Sequence, residues 1–312
     1  MAPIVPVLLR GTLNVTCTSV QLPCTYLEQM ALTYHNAIAI FRGMGDAIWR
    51  DALKSTMAYA HLRNSGENHL KATEFDSQEM LRYYKAMSEA LGPMHWWPAK
   101  SPFEVIVGAI LTQSTAWGNV ELAIENLRSA KMLTPAAILK ISPSRLASLV
   151  RPSGYFRQKT RKLKSFARFL RDEYAGSLKR MFRTPTSELR GKLLAVHGIG
   201  PETADSILLY AGNHPVFVVD AYTHRIFGRH QITDGKPDYE RVRSFFEAAL
   251  PSHAPTLNEF HALIVNTGKN WCRKSVPRCT ECPLRELLPP DSPFSQLPAV
   301  KIAGELIAEA SA

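Results

Sequence analysis

Hydrophobic residues recur at helical spacing, three and four positions apart, along most of the chain from about residue 77 onward. The first such set is Met80, Tyr84, Met87 and Leu91. Gly92 follows this set and is expected to end its helix. Residues 104–112 are apolar on every side and predict a buried helix, with residues 101–104 as a capping box at its start. Residues 215–219 form a short apolar run that predicts extended backbone.

A helix, a tight turn and a second helix are predicted between residues 189 and 211. Apolar residues mark the two arms at helical spacing: Leu189, Leu193 and Val196, then Ala204, Ile207, Leu208 and Ala211. In the turn, Gly198 and Gly200 can adopt backbone angles that a β-carbon forbids, and Pro201 suits the first turn of a helix. The amides of Gly198, Ile199 and Gly200 can then face outward beside a helix N-terminus, as in a phosphate site. An ordinary αα-hairpin with a glycine turn is the alternative.

The charge of the chain lies almost wholly after residue 76. Residues 1–76 hold six basic and six acidic side chains, so the net charge of +10 belongs to residues 77–312. A basic region of this size suggests a polyanionic partner. Residues 1–75 contain no motif, and we interpret them as a loosely ordered extension or as the product of an early start codon, with Met80 as a later start.

The sequence favours a protein of the reducing cytoplasm without a membrane partner. No apolar run is long enough to span a bilayer, and the apolar start lacks the basic region of a signal peptide. Five cysteines do not make a disulfide framework, because three of them cluster near the C-terminus as ligands would. Cys17 and Cys24 are predicted to be free thiols.

Residues 157–171 predict an amphipathic helix with a cationic outer face. The stretch contains seven basic and no acidic side chains. Its buried stripe is formed by Leu163, Phe166, Ala167 and Leu170. A solvated surface is the usual explanation, but the lack of a compensating acid favours contact with phosphates. The predicted DNA contacts are Arg157, Lys159 and Lys162.

Three further places carry candidate chemistry. Asp220 follows the extended run at the start of a helix, where it can cap that helix, point at a site, or do both. Gln113 and Trp117 end the buried helix, where they either face a ligand or close over the core. Near the C-terminus, Cys272, Cys279 and Cys282 are spaced like ligands of a metal or cluster.

Together these residues resemble the endonuclease III-like DNA glycosylases of the helix-hairpin-helix superfamily. The resemblance runs from about residue 77 to 288 and rests on four ordered motifs: GAILTQST, VHGIGPETAD, VVDAYTHR and the cysteine loop. The run VRPSGYFRQKTRKL is most similar to the 3-methyladenine DNA glycosylase III branch. The resemblance implies an all-α protein of two helical domains, with damaged double-stranded DNA bound in the cleft between them.

The resemblance also implies domain boundaries. A six-helix domain that contains the hairpin would span residues 94–213. The second helical domain would combine residues 77–93 with residues 214–288 and end in the cysteine loop. Residues 1–76 would be an N-terminal extension, and residues 289–312 would be a tail.

Site roles carry over onto matching positions. Asp220 matches the family's catalytic aspartate, and Gln113 matches the residue that fills the gap left by the flipped nucleotide. The hairpin matches the element that grips a phosphate beside the lesion. Trp117 and one member of the Trp96-Trp97 pair match aromatic residues of the base pocket, with three core tryptophans as the alternative. These tryptophans can meet only if the chain before the buried helix folds back along it.

Two departures from the family pattern change the expected chemistry. Glu202 stands where bifunctional members carry a Schiff-base lysine, and a carboxylate cannot form an imine. Leu288 stands where the family's [4Fe–4S] cluster has its fourth cysteine, so the loop supplies three ligands. The cluster is then lost, completed by a ligand from elsewhere, or replaced by another metal such as zinc.

We therefore expect a monomeric, monofunctional glycosylase that hydrolyses the N-glycosidic bond of an alkylated purine, in the cytoplasm or on the nucleoid. Asp220 would stabilise positive charge on the sugar and orient or deprotonate the attacking water. Three alternatives stay open: a bifunctional glycosylase and abasic-site lyase that uses another amine, a catalytically inactive lesion-binding protein, and a hydrolase of free nucleosides.

Overall fold

The structure is a computed structural model that describes residues 77–94, 96–97, 99–233, 238–292 and 294. The chain divides into two units, residues 1–46 and 47–312, and every described residue belongs to the second unit. The predicted N-terminal extension, with Cys17 and Cys24, therefore lies outside the described residues, and so does most of the predicted tail.

The described part of the chain is helical and contains no strand, which confirms the all-α expectation. Its α-helices are α1 (Ser77–Leu91), α2 (Pro102–Leu111), α3 (Trp117–Ser129), α4 (Pro135–Lys140), α5 (Pro143–Leu149), α6 (Phe156–Tyr174), α7 (Leu178–Met181), α8 (Thr186–Leu194), α9 (Pro201–Ser206), α10 (Ala221–Arg229), α11 (Tyr239–Ala249) and α12 (Ala254–Asn270). A π-helical turn, Ile207–Ala211, continues α9. Short 3-10 turns lie at Arg151–Ser153, Cys279–Glu281 and Arg285–Leu287. None of the helices described is both long and apolar enough to cross a membrane.

Helix α2 forms the centre of the core, as its apolar sequence predicts. Every residue from Phe103 to Leu111 is buried, and α3, α6, α9 and the π-helical turn pack around the helix. Ser101 Oγ accepts a hydrogen bond from the Glu104 amide at 3.2 Å, so the predicted cap is present. The reciprocal half of the predicted capping box is absent, because the Glu104 carboxylate pairs with Arg128 Nη2 at 2.8 Å.

Helix α12 organises the other half of the core. It packs against α1, α10 and the π-helical turn. Helix α1 buries Met80, Tyr83 and Met87, and the predicted Tyr84 and Leu91 are partly buried and pack against the same core. Glu259 Oε1 on α12 accepts a hydrogen bond from the Met94 amide at 2.7 Å, and this bond anchors the segment that precedes α2. The division of the chain into two helical domains stays a prediction.

The extended run at residues 215–219 passes through the core and leads into α10. Val216, Phe217, Val218 and Val219 are each at most 2% exposed. The Phe217 ring stacks on that of Phe246 at 4.2 Å, and the Phe217 amide donates to Glu247 Oε1 at 2.9 Å. This buried segment fixes the position of the residue that follows it, Asp220.

Candidate active site and DNA interface

Asp220 is the N-cap of α10 and uses one carboxylate oxygen for that task. Its Oδ1 accepts hydrogen bonds from the amides of Tyr222 (2.9 Å) and Thr223 (2.8 Å) and from the Thr223 hydroxyl (3.0 Å). Oδ2 takes part in none of these bonds, and 13% of the side chain is exposed. The two predicted roles, helix cap and site carboxylate, can therefore be divided between the two oxygens.

Two polar side chains near Asp220, one buried and one partly buried, were not predicted from the sequence. His261 on α12 is 4% exposed, and its Nε2 lies 3.7 Å from Asp220 Oδ2. Its Nδ1 is hydrogen-bonded to the hydroxyl of Tyr210, which lies in the π-helical turn. Burial lowers the pKa of His261 and raises the pKa of Tyr210, so both side chains are neutral at pH 7. A π-helical turn inside a helix is frequent at functional sites.

Glu202 is close enough to Asp220 for their charges to interact. It lies in the first turn of α9. Its side chain reaches solvent, but the surrounding protein removes part of its hydration. This desolvation, together with the negative charge of Asp220, raises the pKa of Glu202 to about 7. The site therefore contains two carboxyl groups, one of which titrates near neutral pH.

An aromatic cluster lies beside these carboxyl groups. The Trp97 ring is 5.1 Å from the Trp117 ring and 5.1 Å from the Tyr210 ring, and Trp96 packs edge-on against Trp97 at 5.9 Å. The segment before α2 folds back along that helix, which is the condition under which the sequence allowed Trp97 and Trp117 to meet. A β-carbon at Gly108 would lie 3.1 Å from the Trp97 ring, so glycine permits this close approach. All three tryptophans stay partly exposed.

The turn between α8 and α9 has two glycines with different backbone angles. Gly198 has φ +85°, which favours glycine, whereas Gly200 has φ −94° and ψ 179°, an extended conformation open to any residue. The expectation of special backbone angles is thus right for Gly198 and wrong for Gly200. Neither glycine amide donates a hydrogen bond to any described residue. Ile199 instead is 4% exposed, and its amide donates to Val196 O at 3.0 Å, so Ile199 does not present its amide outward.

Gln113 and Lys162 join the hairpin turn to α2 and α6. Gln113 Nε2 donates to Gly198 O at 3.1 Å and to Thr203 Oγ1 at 2.8 Å. Lys162 Nζ donates to Gln113 Oε1, and the alkyl part of Lys162 covers Gly198. Three predicted DNA-binding residues from distant parts of the sequence therefore meet at one place.

Comparison with known proteins gives the family. The sequence profile described as HhH-GPD superfamily base excision DNA repair protein matches residues 107–252. A protein of Methanocaldococcus jannaschii named as a DNA repair glycosylase is 41% identical over 219 residues, which are 70% of this chain and 98% of that protein. The chain belongs to the HhH-GPD superfamily of base excision DNA repair proteins. It is accordingly a DNA glycosylase, as predicted.

Solved structures agree with this placement. The 3-methyladenine DNA glycosylase of H. pylori, solved with 1,N6-ethenoadenine, has a TM-score of 0.55 and 31% identity over 62% of this chain and 98% of its own. An endonuclease III–DNA complex has a TM-score of 0.60 and 21% identity over 69% and 95% of the two chains, and shows the same fold. Endonuclease III of Thermotoga maritima is 29% identical over 184 residues, which are 59% of this chain and 81% of that enzyme.

One predicted DNA contact of this HhH-GPD glycosylase is wrong. Lys159 is 1% exposed, and its ammonium donates to the carbonyls of Leu111, at 2.8 Å, and Ser153. Burial, with the nearby charge of Lys162, lowers the pKa of Lys159 to about 8. Lys159 therefore satisfies the last carbonyl of α2 inside the protein and cannot reach a phosphate. Arg157 is exposed, as expected of a DNA contact.

The cysteine loop of the glycosylase surrounds a small cavity. Cys272, Cys279 and Cys282 line it together with Arg229 and Leu288. Its volume of about 10 Å³ holds about one water molecule. Across the described ranges, no three histidine, cysteine or carboxylate side chains are grouped so that they could hold a metal ion. With a hydrocarbon in place of the fourth thiol, the residues present do not fit a [4Fe–4S] cluster in this arrangement.

Arg229 supplies other contacts that hold this loop. Its Nη1 donates to Cys272 Sγ at 3.2 Å and to Arg273 O at 2.7 Å, and its Nη2 donates to Lys274 O at 3.0 Å. Arg225, one turn earlier on α10, donates to Cys272 O at 2.6 Å. The helix that begins after Asp220 therefore also holds the start of the cysteine loop in place.

Proposed function

We propose that this glycosylase is monofunctional and hydrolyses the N-glycosidic bond of an alkylated purine in duplex DNA, with Asp220 as the catalytic carboxylate. The observation that carries the proposal is that Asp220 and Glu202 lie close enough for their charges to interact. The site has one carboxylate with an oxygen that is not used in the helix cap. At the position where a lyase needs an amine it has a second carboxyl group, which cannot form an imine.

The nearest lysine along the hairpin does not supply the missing amine. Lys192 Nζ pairs with Glu188 at 3.1 Å and with Glu173 at 3.7 Å. The hydrogen bond that Lys192 Nζ donates to Glu188 raises the pKa of Lys192, so its ammonium form is favoured. An ammonium group has no lone pair with which to attack the sugar. This supports base release without strand cleavage.

The proposed reaction follows from the placement of Asp220. The damaged nucleotide is extruded from the duplex into the site. The bond between C1′ and the base breaks, its electron pair leaves with the base, and C1′ becomes cationic. The Asp220 carboxylate stabilises this cation. A water oxygen attacks C1′, and the water proton passes to Asp220 or to solvent.

The aromatic cluster supports a cationic base as the leaving group. Trp97, Trp117 and Tyr210 present electron-rich rings beside the carboxyl groups, and such rings attract a cation on their faces. An alkylated purine that already carries positive charge leaves without prior protonation, so the reaction needs no strong general acid. The similarity to a 3-methyladenine DNA glycosylase at 31% identity also supports this substrate class.

The proposed DNA contacts lie around the hairpin. The amides of Gly198 and Gly200, which donate to no other described residue, would bind a phosphate. Gln113 would enter the gap left by the flipped nucleotide, and Lys162 and Arg157 would contact the DNA backbone. The monomeric state of the protein and its location in the cytoplasm or on the nucleoid stay predictions.

The deciding experiment is base release from duplexes that each carry one alkylated, oxidised or deaminated base. We expect release of 3-methyladenine, loss of that release in Asp220→Asn with nearly unchanged DNA affinity, and no borohydride-trapped adduct on abasic DNA. A trapped adduct would show the bifunctional alternative. Lesion binding without release of any base would indicate a catalytically inactive lesion-binding protein. Base release from free nucleosides but not from duplex DNA would indicate a nucleoside hydrolase.

A further inference from the structure

His261 is a buried polar side chain aimed at the reacting carboxylate. It lies on α12 with 4% of its surface exposed. Its Nε2 is buried, 3.7 Å from Asp220 Oδ2, and has no hydrogen-bond partner within the described ranges. Proteins seldom leave a buried polar atom unpaired, because its desolvation is not compensated. The unpaired nitrogen therefore indicates a partner that is engaged more closely in the working complex.

Tyr210 decides which nitrogen of His261 carries the proton. The Tyr210 hydroxyl contacts His261 Nδ1. Since burial keeps the phenol protonated and the imidazole neutral, the phenol can donate to Nδ1 and leave the imidazole proton on Nε2. The opposite tautomer would place a nitrogen lone pair against a carboxylate oxygen of Asp220, which is repulsive.

We propose that His261 is a positioning residue for Asp220: Tyr210 holds His261 as the Nε2–H tautomer, and this N–H fixes the direction of Asp220 Oδ2 toward the flipped sugar. The inference rests on the proposed catalytic role of Asp220. The helix cap already holds Oδ1. A donor at Oδ2 removes the remaining freedom of the carboxylate to rotate.

A neutral donor suits this task better than a charged one. The carboxylate must keep its negative charge, because that charge stabilises the cationic sugar. A lysine or arginine in place of His261 would orient Oδ2 but would also neutralise it. The neutral Nε2–H group orients the oxygen and leaves most of the charge available for the reaction.

Packing is the competing explanation for His261. Its ring lies 6.2 Å from the ring of Phe217 and 5.9 Å from that of Tyr210, and both neighbours belong to the core around α12. A histidine that only fills space needs bulk but no proton on Nε2. The two explanations therefore differ in what a substitution must preserve.

The first test compares two substitutions in the full-length protein. His261→Met keeps bulk and loses the donor, whereas His261→Gln can place an amide N–H near the position of Nε2. Single-turnover release is measured with whichever base the wild type releases, beside affinity for the same duplex and the melting temperature. We expect His261→Met to release base about tenfold more slowly or worse, and His261→Gln to recover most of the rate. Affinity should stay within about twofold in both variants.

The second test uses Tyr210. Tyr210→Phe should slow release in the wild-type background and have little further effect in the His261→Met background, because methionine has no proton whose position Tyr210 could fix. Long-range ¹H–¹⁵N spectra should show the Nε2–H tautomer of His261 in the wild type and a mixture of tautomers in Tyr210→Phe.

Several outcomes would overturn the inference. Equal losses in His261→Met and His261→Gln, or losses that follow affinity or melting temperature, would leave packing as the role. A Tyr210→Phe effect of the same size beside His261→Met would contradict the tautomer argument. If Asp220→Asn still releases base, the proposed function fails. If Asp220→Asn is inactive while both His261 variants work at the wild-type rate, only the positioning role fails.

Discussion

The alkyl stem of Lys162 lies across Gly198, so the basic helix α6 covers the glycine of the hairpin turn that has a positive φ. A β-carbon at Gly198 would overlap the alkyl stem of Lys162, whereas a β-carbon at Gly200 would meet nothing within 4 Å. The ammonium of Lys162 is bound to Gln113, whose amide group also holds the Gly198 carbonyl. This contact ties the proposed phosphate site to the basic helix and makes the two glycines unequal.

Gly198→Ala should damage the turn, and Gly200→Ala should not. Alanine at φ +85° is strained by about 1–2 kcal/mol, and it would also displace Lys162. We expect Gly198→Ala to unfold at lower urea concentration and to bind damaged and undamaged duplexes more weakly. Gly200→Ala is the matched control and should unfold like the wild type. Equal stability of the two variants would contradict the assignment of the turn.

Substitutions of Lys159 and Lys162, which lie three residues apart on α6, should affect different properties: stability for Lys159 and DNA binding for Lys162. Lys159→Met leaves the carbonyls of Leu111 and Ser153 without a donor and should lower the free energy of unfolding by about 1–3 kcal/mol. Lys162→Met should fold normally, bind duplex DNA more weakly and lower the salt dependence of binding by about one unit of slope. Urea unfolding and salt titrations separate the two. A normal salt slope in Lys162→Met would remove it from the interface.

Glu202 should make stability depend on pH near neutrality. Its pKa is about 7 in the folded protein against 4.5 for an ordinary glutamate. Between these values the folded protein binds more protons than the unfolded chain, so the Glu202 contribution to stability falls as pH rises. Glu202→Gln should therefore gain melting temperature over the wild type progressively from pH 5 to pH 8. Glu286→Gln, at a side chain that is 90% exposed, serves as the control. A difference that stays constant with pH would contradict the raised pKa.

Replacing Trp117 should reduce excision of the damaged base more than it reduces the stability of the fold. It is partly exposed and contacts Trp97 in the aromatic cluster. A cation stacked on a desolvated aromatic ring is worth on the order of 2 kcal/mol, so Trp117→Ala should lose at least about tenfold in excision of 3-methyladenine. The variant should still fold and bind duplex DNA. Trp271→Ala, at a partly exposed tryptophan beside the cysteine loop, should excise normally. Wild-type excision by Trp117→Ala, or a wild-type preference for a neutral oxidised pyrimidine, would contradict the alkylation proposal.

The stability of the cysteine loop should depend on the hydrogen bonds of Arg229 and not on a [4Fe–4S] cluster. Arg229→Ala removes hydrogen bonds to Cys272, Arg273 and Lys274, which should cost about 1–3 kcal/mol of stability. Arg285→Ala, at a largely exposed side chain, is the control and should have little effect. Protein purified without oxygen should lack stoichiometric iron and sulfide. A brown protein that contains both would show that a ligand from outside the loop completes a cluster.

The sequence by itself determined the local elements and the family. Helical spacing of apolar residues located α1, α2, the two arms of the hairpin and α6, because that spacing is set within each helix. The position of Asp220 at a helix start could also be predicted, since an N-cap is a local feature. Even the burial of Lys159 had a local signal: it lies four residues before Leu163 and therefore on the same stripe as the buried side chains.

Only the tertiary structure decided how the site is assembled. Tyr210 and His261 are 51 residues apart and meet because a π-helical turn and α12 pack together. Trp97 reaches Trp117 because the segment before α2 folds back along that helix. Whether a cation faces DNA or a carbonyl likewise depends on what packs beside it, as Lys159 and Lys162 show. Periodicity fixes which face of a helix is buried, but the partner of each side chain is set by packing between elements that are distant in the sequence.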